Sequence, residues 1–414
     1  MVSEKKIALR NAEKYNPVKI EEYIKLGGYK NAQKALEMNP VDIIDLIIDA
    51  RLRGRGGAGF SAGQKNKYTS EAICDRCIQK YIICNADEGE PGTFKDRIIM
   101  EQDPHNLIEG MIVAANAIGA TKGFIYVRGE YSDSIYTLKI AIEQAREKGF
   151  LGKNIFNSGF DLDIEIKLGA GSYLCGEELT LLESLEGMRG YPRIKPPFPA
   201  EKGLFGMPTL INNVETFAHI SYIIEHGADH YRSMGTENSP GTKIFTISGD
   251  INNPGYFETE MGVTLRDLIF EFAGGMKDGK KFKAAILGGA AGTFVDESVL
   301  DTPMGYDTLK EKGAVLGSGA IMVLSEERSI FDFTHSILKF FKHESCGKCV
   351  PCRVGTSQLM ILMKQAKENP QDHKKILDRL LEESEYMAKT SLCPLGQSPI
   401  MPIKSLKQYF ENQF

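Results

Sequence analysis

The stretch from Leu162 to Leu185, LDIEIKLGAGSYLCGEELTLLESL, predicts a strand, a glycine-rich turn and a helix in direct succession. Its first part, Leu162–Leu168, is predicted to be the strand, and Glu177–Leu185 is predicted to be the helix. The glycines between them allow backbone N–H groups to approach a ligand at the N-terminus of a helix. This order of elements is typical of a parallel α/β sheet.

The same order recurs from Lys80 to about His230. The predicted strands are Tyr81–Cys84 and Gly123–Arg128, and the predicted helices are Asn106–Ala117 and Ser134–Lys148. Strands that alternate with helices at this spacing predict a mostly parallel sheet. Before it, residues 1 to about 52 are predicted to form the helices Ile20–Leu26, Asn31–Glu37 and Val41–Leu52.

The pattern changes after residue 240. Strands are predicted at Lys243–Ser248, Gly255–Glu258, Phe282–Leu287 and Ile321–Leu324, with one helix at Leu265–Phe272. From Ser329 onward the chain is predicted to be helical. We therefore expect an α/β domain with N-terminal helices over residues 1–240, a small α+β domain over 241–328 and a helical domain over 329–414.

Composition excludes several classes of function. The 414 residues carry 50 basic and 55 acidic side chains, a net charge of −5, which gives no reason to expect nucleic acid or direct membrane insertion. Neither a signal peptide nor an apolar run of membrane-spanning length is found. We expect a cytoplasmic location, or attachment to a membrane surface through partner subunits. In such a reducing compartment, the eight cysteines are expected to be metal ligands or free thiols.

Three of these cysteines stand three residues apart in ESCGKCVPCRVG, residues 344–355. A cubane cluster needs four thiolates, and Thr356 occupies the place where a compact ferredoxin pattern has the fourth cysteine. Two predicted helices, Thr356–Glu368 and Gln371–Met387, would return the chain to its start if they fold back on each other. We therefore predict a 4Fe–4S cluster with four ligands, namely Cys346, Cys349, Cys352 and Cys393.

Zinc is the alternative at these cysteines, although zinc sites favour CxxC pairs that are often combined with histidine. Cys84 lies at the end of a predicted buried strand, and Cys175 lies inside a glycine loop. Cys74 and Cys77 form a lone CxxC, for which a metal or redox role and an ordinary loop both remain open.

Three further segments contain groups suited to a ligand site. GRGGAGF, residues 54–60, matches a G-x-G-x-x-G pattern but follows a predicted helix instead of a strand, so a flexible loop is the alternative. Asn85–Arg97 follows a predicted strand and contains carboxylates, at residues 87, 88 and 90, that are costly to bury without the neighbouring cations. Ile211–Thr216 places two amides at a predicted helix start, where ordinary capping is the alternative. After the second glycine loop, residues 169–176, Glu177 and Glu178 would repel a phosphate and suit hydroxyls, an amide or a flavin ring edge.

GRGGAGF, CNADEGEPGTFKDR, GAGSYLCGEE, RIKPPFP, INNVET and the 346–393 cysteine set occur in this order. Over about residues 20 to 410 the chain resembles the NADH-oxidising flavoprotein subunit of respiratory complex I and its relatives in soluble NAD-linked hydrogenases and formate dehydrogenases. The resemblance implies a Rossmann-like FMN/NADH domain, a ubiquitin-like β-grasp domain and a C-terminal helical-bundle iron–sulfur domain.

The resemblance also implies which residues contact the cofactors. For FMN they are Gly54, Gly56, Gly57, Lys65, Asn85, Asp87, Tyr173, Gly176, Glu177, Asn212 and Asn213. For NADH they are Phe60, Tyr68, Glu90, Glu178, Lys195 and Phe198. Asn66 departs from the family pattern, which commonly has an aromatic residue there. The implied partners are a thioredoxin-like 2Fe–2S subunit and a larger iron–sulfur subunit of a multi-subunit redox complex.

The implied function is that of an NADH:acceptor oxidoreductase in which hydride passes from NADH to FMN and single electrons pass through the cluster to a partner protein. No side chain is expected to act as a general acid or base. The same motifs fit the NAD(H)/FMN module of an electron-bifurcating or NAD-reducing hydrogenase or formate dehydrogenase. A cluster-bearing scaffold with an inactive flavin site and a zinc-stabilised α/β enzyme are the alternatives from other classes.

Overall fold

The structure is a computed structural model that describes residues 3–73 and 79–413, so Cys74 and Cys77 lie outside the described residues. The helices of the first half are α1 Ile20–Lys25, α2 Lys30–Glu37, α3 Pro40–Asp49, α4 Ala62–Glu71, α5 Asp96–Gln102, α6 Pro104–Ile118, α7 Ser132–Glu147, α8 Glu178–Leu185 and α9 Pro199–Lys202. The helices of the second half are α10 Val214–His226, α11 Ala228–Arg232, α12 Tyr306–Glu311, α13 Ile330–Glu344, α14 Val350–Glu368, α15 His373–Thr390, α16 Pro394–Gln397 and α17 Ile400–Phe410.

The strands form two larger sheets and one short hairpin. They are β1 Tyr81–Ala86, β2 Lys122–Arg128, β3 Asp163–Gly169, β4 Thr209–Asn213, β5 Gly235–Thr236, β6 Ser239–Pro240, β7 Thr242–Gly249, β8 Gly255–Glu260, β9 Phe282–Leu287, β10 Thr293–Val295 and β11 Ala320–Ser325.

The first sheet confirms the α/β prediction. Its order is β3-β2-β1-β4, and every neighbouring pair is parallel. The middle five residues of β2 are all buried, because helices cover both faces of the sheet. α6 is buried along nearly its whole length and packs against α10 and β1, so the core of this domain lies between the sheet and these helices.

The second sheet confirms the small α+β unit. Its order is β10-β9-β11-β7-β8, with β7 and β11 parallel and the other neighbours antiparallel. The helix predicted at Leu265–Phe272 contains a π-helical turn over Asp267–Phe272. We call this unit, together with α12, the middle unit.

The C-terminal region is helical, as predicted. α14 and α15 are joined by a short turn at Pro370–Asp372 and pack against each other. α14 begins at Val350, six residues before the predicted start at Thr356, because Pro351 at its first turn favours helix initiation. No helix in the described parts of the chain has both the length and the apolar character needed to cross a membrane.

Some local elements differ from the prediction. The two amides of Ile211–Thr216 lie at a helix start, as predicted, because α10 begins at Val214 and the side chain of its N-cap residue, Asn213, accepts from the Glu215 N–H. Strand β4, Thr209–Asn213, which leads into this helix, was not predicted. Pairing with β1 stabilises this strand although its last two residues are asparagines, which propensity alone disfavours in strands. α4 and α5 were not predicted, and α3 ends at Asp49, three residues before the predicted end at Leu52.

Candidate functional site

The candidate site lies at the carboxyl edge of the four-stranded sheet. The chain passes from β1 to β2 and β3 on one side and returns to β4 on the other side of β1. In open α/β sheets, ligands bind outside the carboxyl ends of the strands at such a reversal of strand order. The predicted ligand segments that follow β1, β3 and β4 all begin at this edge.

Side-chain hydrogen bonds join these segments. Asn85 of β1 lies opposite Asn213 of β4 and donates from Nδ2 to the carbonyl of Gly176, at 2.8 Å. Arg128, the last residue of β2, donates from Nη1 to Oδ1 of Asp87, at 3.1 Å. Arg128 was not predicted as a site residue, although its place at the end of a predicted strand puts it at the same edge.

The first glycine loop, residues 54–60, lies against the end of β4. The N–H of Gly54 donates to the carbonyl of Phe60, at 2.8 Å, which closes the loop. A Cβ at Gly56 would lie 2.9 Å from the Cβ of Asn213. Gly57 has a φ of +144°, which other residues rarely adopt, and no atom lies within 4 Å of the place of its Cβ. The loop therefore leaves open space beside its backbone at Gly57.

The two neighbouring asparagines have different surroundings. Asn213 accepts at Oδ1 from Lys95 Nζ (3.1 Å) and from the Glu215 N–H (3.0 Å), and it donates from Nδ2 to Asp96 (2.7 Å). Asn212 is 5% exposed, and its Nδ2 has no partner in the described part of the chain. Because buried donors are normally paired, the side chain of Asn212 is the better candidate for a ligand contact.

Glu177 is engaged by the protein itself. Its Oε2 accepts from the N–H groups of Leu179 (3.1 Å) and Thr180 (2.9 Å) and so caps α8. Lys195 lies 2.9 Å from its Oε1. The carboxylate thus fixes the start of the helix directly after the second glycine loop.

Glu178 lies between two lysines. Lys65 forms an ion pair with it and also donates to the carbonyl of Ile211, at 3.2 Å. Lys195 Nζ is 3.9 Å from Glu178 Oε2. Burial alone would raise the pKa of Glu178, but the Lys65 ammonium group outweighs it, so that the pKa is lowered. Glu178 is therefore ionised at neutral pH.

Two other carboxyl groups are shifted in the opposite direction. Burial raises the pKa of Asp87 to about 7, although the Arg128 guanidinium opposes this. Burial also raises the pKa of Glu90, against hydrogen bonds from the Tyr173 hydroxyl and from the Ala291 N–H at 2.9 Å. Ala291 lies just before β10, so the middle unit contributes to this site. Carboxyl groups shifted by burial in a cleft are typical of functional sites.

Exposed aromatic rings stand near these groups. Phe60, Tyr68 and Phe198 are 49%, 53% and 52% exposed. Helix α9, which Phe198 precedes, packs against α4, which carries Tyr68. Flat exposed rings are suited to stacking on a nicotinamide or adenine. Asn66 is fully buried and contributes no such surface.

These groups fit a flavin nucleotide and its nicotinamide partner. The open backbone at Gly57 and the buried Nδ2 of Asn212 offer contacts to polar parts of FMN, and the carboxyl groups suit hydroxyls and a ring edge. The exposed aromatic rings offer stacking surfaces. The individual contacts to FMN and NADH remain predictions.

The four cysteines of the C-terminal region belong to one apolar cluster with residues such as Phe341 and Leu395. Cys352 lies in the first turns of α14, and Cys393 directly precedes α16. A Cβ at Gly396 would lie 2.9 Å from the Cβ of Cys352, so the end of the helical hairpin returns to its start. Burial raises the pKa of Cys352 and that of Cys393, the latter to about 11. Bound iron must therefore displace protons from these thiols.

The thiols fit a cluster better than a single ion. They are free cysteines, not disulfides. Within residues 3–73 and 79–413, no three side chains of His, Cys, Asp or Glu converge as the ligands of one metal ion would. In a cubane each thiolate binds a different iron, so its four ligands stand further apart than those of one zinc ion.

The second glycine loop and the proline-rich loop are in direct contact with the cysteine region. The backbone N–H of Tyr173 donates to Glu344, at 3.0 Å, and the Tyr173 ring centroid is 5.1 Å from that of Phe340. Lys348, between two cysteines, donates to the carbonyl of Pro192 at 2.9 Å. These contacts were not predicted from the sequence, because they join residues more than 150 positions apart.

Three family profiles match the chain. The profile described as Nuo51 FMN-binding domain matches residues 47–222, and the SLBB domain profile matches residues 244–292. The profile described as NADH-ubiquinone oxidoreductase-F iron–sulfur binding region matches residues 332–414.

Relatives match over nearly the whole chain. The NADP-reducing hydrogenase subunit HndC of Solidesulfovibrio fructosivorans is 45% identical over 99% of this chain and 82% of its own length. The F subunit of the NADH-quinone oxidoreductase of Aquifex aeolicus is 47% identical over 94% of this chain and 88% of its own length. The corresponding protein of Escherichia coli is 40% identical over 96% and 89%, respectively.

Solved structures of an NAD⁺-reducing [NiFe]-hydrogenase have the same fold. The air-oxidised form superposes with a TM-score of 0.83 at 34% identity, covering 100% of this chain and 67% of the hydrogenase chain. The H₂-reduced form superposes with a TM-score of 0.82 at 36% identity, covering 93% and 64%.

Proposed function

This chain belongs to the family that comprises the NADH-quinone oxidoreductase F subunits and their hydrogenase relatives, and we propose which of its residues bind FMN, NADH and the cluster. The chain is an oxidoreductase subunit with FMN, a 4Fe–4S cluster and NAD(H) as its redox groups, as the sequence predicted. We assign FMN and NADH to residues 1–240, the β-grasp domain to 241–328 and the cluster to 329–414.

FMN accepts a hydride as an electron pair and releases electrons singly, and the cluster accepts one electron at a time. The side chains need only bind and orient these groups. The Gly57 backbone and Asn212 contact FMN, while Asn85 and Asn213 hold the surrounding loops together. Phe60, Tyr68 and Phe198 stack on NADH, and the carboxylate of Glu178, held by Lys65, accepts from its hydroxyl groups.

The observation that supports this function best is the contact between the two cofactor regions. Tyr173, in the segment after β3, contacts Glu344 and Phe340 of α13, which leads directly into the cysteine run. Lys348 contacts the proline-rich loop that carries Lys195 and Phe198. An electron released at the flavin site therefore has only a short path to the cluster.

The test uses two cysteine variants of the purified chain with FMN and reconstituted cluster. Cys393→Ser is expected to lose iron and sulfide, while NADH still bleaches the flavin absorbance. Cys84→Ala is the control, because Cys84 is buried in β1 and packs in a different apolar cluster from the four ligand cysteines. The proposal fails if the wild-type chain binds no flavin, or if Cys393→Ser retains a full cluster.

The family places the chain in a multi-subunit redox complex. As its partners we propose a thioredoxin-like 2Fe–2S subunit and a larger iron–sulfur subunit. We propose a cytoplasmic location for the chain, or attachment to a membrane surface through these partners. The names of the relatives support an assembly of several subunits. Affinity purification from the native cell followed by mass spectrometry tests this, and recovery of the chain without any iron–sulfur protein would contradict it.

A second candidate is the NAD(H)/FMN module of a hydrogenase or formate dehydrogenase, including a bifurcating one. The identity of 45% to a hydrogenase subunit and the likeness to an NAD⁺-reducing hydrogenase favour it. NAD⁺ reduction by the native complex with hydrogen, formate or reduced ferredoxin separates this candidate from quinone-linked NADH oxidation.

A further inference from the structure

The middle unit contacts the first glycine loop through two side chains that the sequence analysis did not assign. Tyr306, the first residue of α12, donates its hydroxyl to the carbonyl of Gly54, at 2.9 Å. Lys243, in β7, donates from Nζ to the carbonyl of the next residue, Arg55, at 3.3 Å. Two consecutive carbonyls of the loop are thus held from the same unit.

The ring of Tyr306 also fills the space beneath the loop. A Cβ at Gly59 would lie only 2.5 Å from this ring, and Gly59 has a φ of +65°. Both observations require glycine at this position. The Arg53 guanidinium lies over the same ring, 4.2 Å from its centroid. The loop backbone is therefore packed on Tyr306 and hydrogen-bonded to it.

Lys243 is fully buried and is fixed by partners from the α/β domain. Its Nζ lies 2.7 Å from Glu215 Oε2, and the N–H of Ile244 donates to the other oxygen of Glu215, at 2.9 Å. Lys95 lies 2.8 Å from Glu215 and also bonds to Asn213. The network that holds Asn213 thus continues through Glu215 and Lys243 to the carbonyl of Arg55.

We propose that Tyr306 and Lys243 are positioning residues for FMN, which hold the Gly54–Phe60 loop in its binding conformation before FMN arrives. Neither residue touches the open side of the loop at Gly57. Their effect is to reduce the conformational freedom that the loop loses when FMN binds, which is how preorganisation increases affinity. The middle unit therefore contributes to FMN binding by holding this loop in place. The inference rests on the proposed function, because it requires FMN to bind at this loop.

The decisive variant is Tyr306→Phe, which keeps the ring and removes only the hydroxyl. Tyr409→Phe is the matched control, because the Tyr409 hydroxyl also donates to a backbone carbonyl, that of Lys312, at 2.7 Å, away from the glycine loop. Wild type and both variants, with clusters reconstituted and flavin removed, are titrated with FMN, and the quenching of flavin fluorescence gives the dissociation constants.

Loss of one hydrogen bond predicts that Tyr306→Phe binds FMN about five- to tenfold more weakly than wild type, with Tyr409→Phe unchanged. Hydrogen exchange of flavin-free protein should also be faster at residues 54–60 in Tyr306→Phe alone. Equal affinity of Tyr306→Phe and wild type overturns the inference, and so does equal weakening in both variants, which would indicate a general loss of stability. If wild type itself binds no FMN, the proposed function fails first and the inference with it.

Discussion

Tyr173 donates its hydroxyl to the carboxylate of Glu90, and the two residues come from different loops at the carboxyl edge of the sheet. Tyr173 lies after β3 and Glu90 after β1, and the same tyrosine contacts the region of the cysteines through its backbone and ring. Tyr173 thus connects the loop of Glu90, the second glycine loop and the cysteine region.

The bond from Tyr173 predicts a pH-dependent effect on stability. Burial raises the pKa of Glu90, and the Tyr173 hydroxyl opposes this by stabilising the ionised form. A carboxyl group with a raised pKa in the folded state contributes stability at low pH that is lost as pH rises through the folded pKa. Tyr173→Phe raises this pKa further, so its cost should grow from acid to neutral pH, towards about 1–3 kcal/mol.

Urea unfolding of flavin-free protein at pH 5 and pH 8, followed by circular dichroism, measures this cost. Tyr126→Phe is the control, because the Tyr126 hydroxyl is 2.8 Å from the uncharged hydroxyl of Ser184. Its cost should be the same at both pH values. A cost of Tyr173→Phe that does not change with pH would contradict the charge-assisted bond.

Asp87 predicts a pH-dependent flavin potential. Its pKa is raised to about 7 by burial, so its charge changes across neutrality. Above pH 7 a carboxylate beside FMN disfavours negative charge on the reduced flavin and lowers the potential. Asp87→Asn should therefore raise the two-electron potential at pH 8, on the order of 30 mV, and leave it nearly unchanged at pH 6. Spectroelectrochemical titration at both pH values decides this, and an equal shift at both would show that Asp87 does not titrate in this range.

The glycine and cysteine motifs were predictable from the sequence because each is contiguous. A strand, a glycine turn and a capped helix occupy neighbouring positions from Asp163 to Leu185, and the structure has them there. The pairing of Lys243 with Glu215 and of Tyr306 with Gly54 was not predictable, since 28 and 252 positions separate the partners. Strand β4 was missed for the same reason, because its pairing with β1 is a tertiary contact.

The ion pair of Lys65 with Glu178 predicts an energetic coupling. Glu178 is partly buried and its pKa is lowered, so the pair contributes stability above the unfolded pKa that is lost as pH falls through the folded pKa. Lys65→Met should cost about 2 kcal/mol at pH 7, because it leaves a carboxylate with only the more distant Lys195. The double variant Lys65→Met/Glu178→Gln should cost less than the sum of the two single variants.

Urea unfolding at pH 7 of the four proteins of this cycle gives the coupling energy, which should exceed about 1 kcal/mol. Lys122 and Glu165 provide the comparison, because the Glu165 side chain is 42% exposed against 29% for Glu178, while the two lysines are about equally exposed. Their coupling should stay below about 1 kcal/mol. Equal couplings for the two pairs would show that burial of Glu178 has no effect on the strength of its ion pair.

Replacement by alanine should affect stability at Asn213 and FMN binding at Asn212. Asn213→Ala removes contacts to Lys95, Asp96 and the first turn of α10, two of which involve charged groups, and should cost about 2–4 kcal/mol of stability. Asn212→Ala removes a buried donor that has no partner in the described chain, so flavin-free stability should change by less than about 1 kcal/mol. The same variant should weaken FMN binding about tenfold if Nδ2 donates to FMN. Urea unfolding and fluorescence titration separate the two effects, and unchanged FMN affinity in Asn212→Ala would remove this side chain from the flavin site.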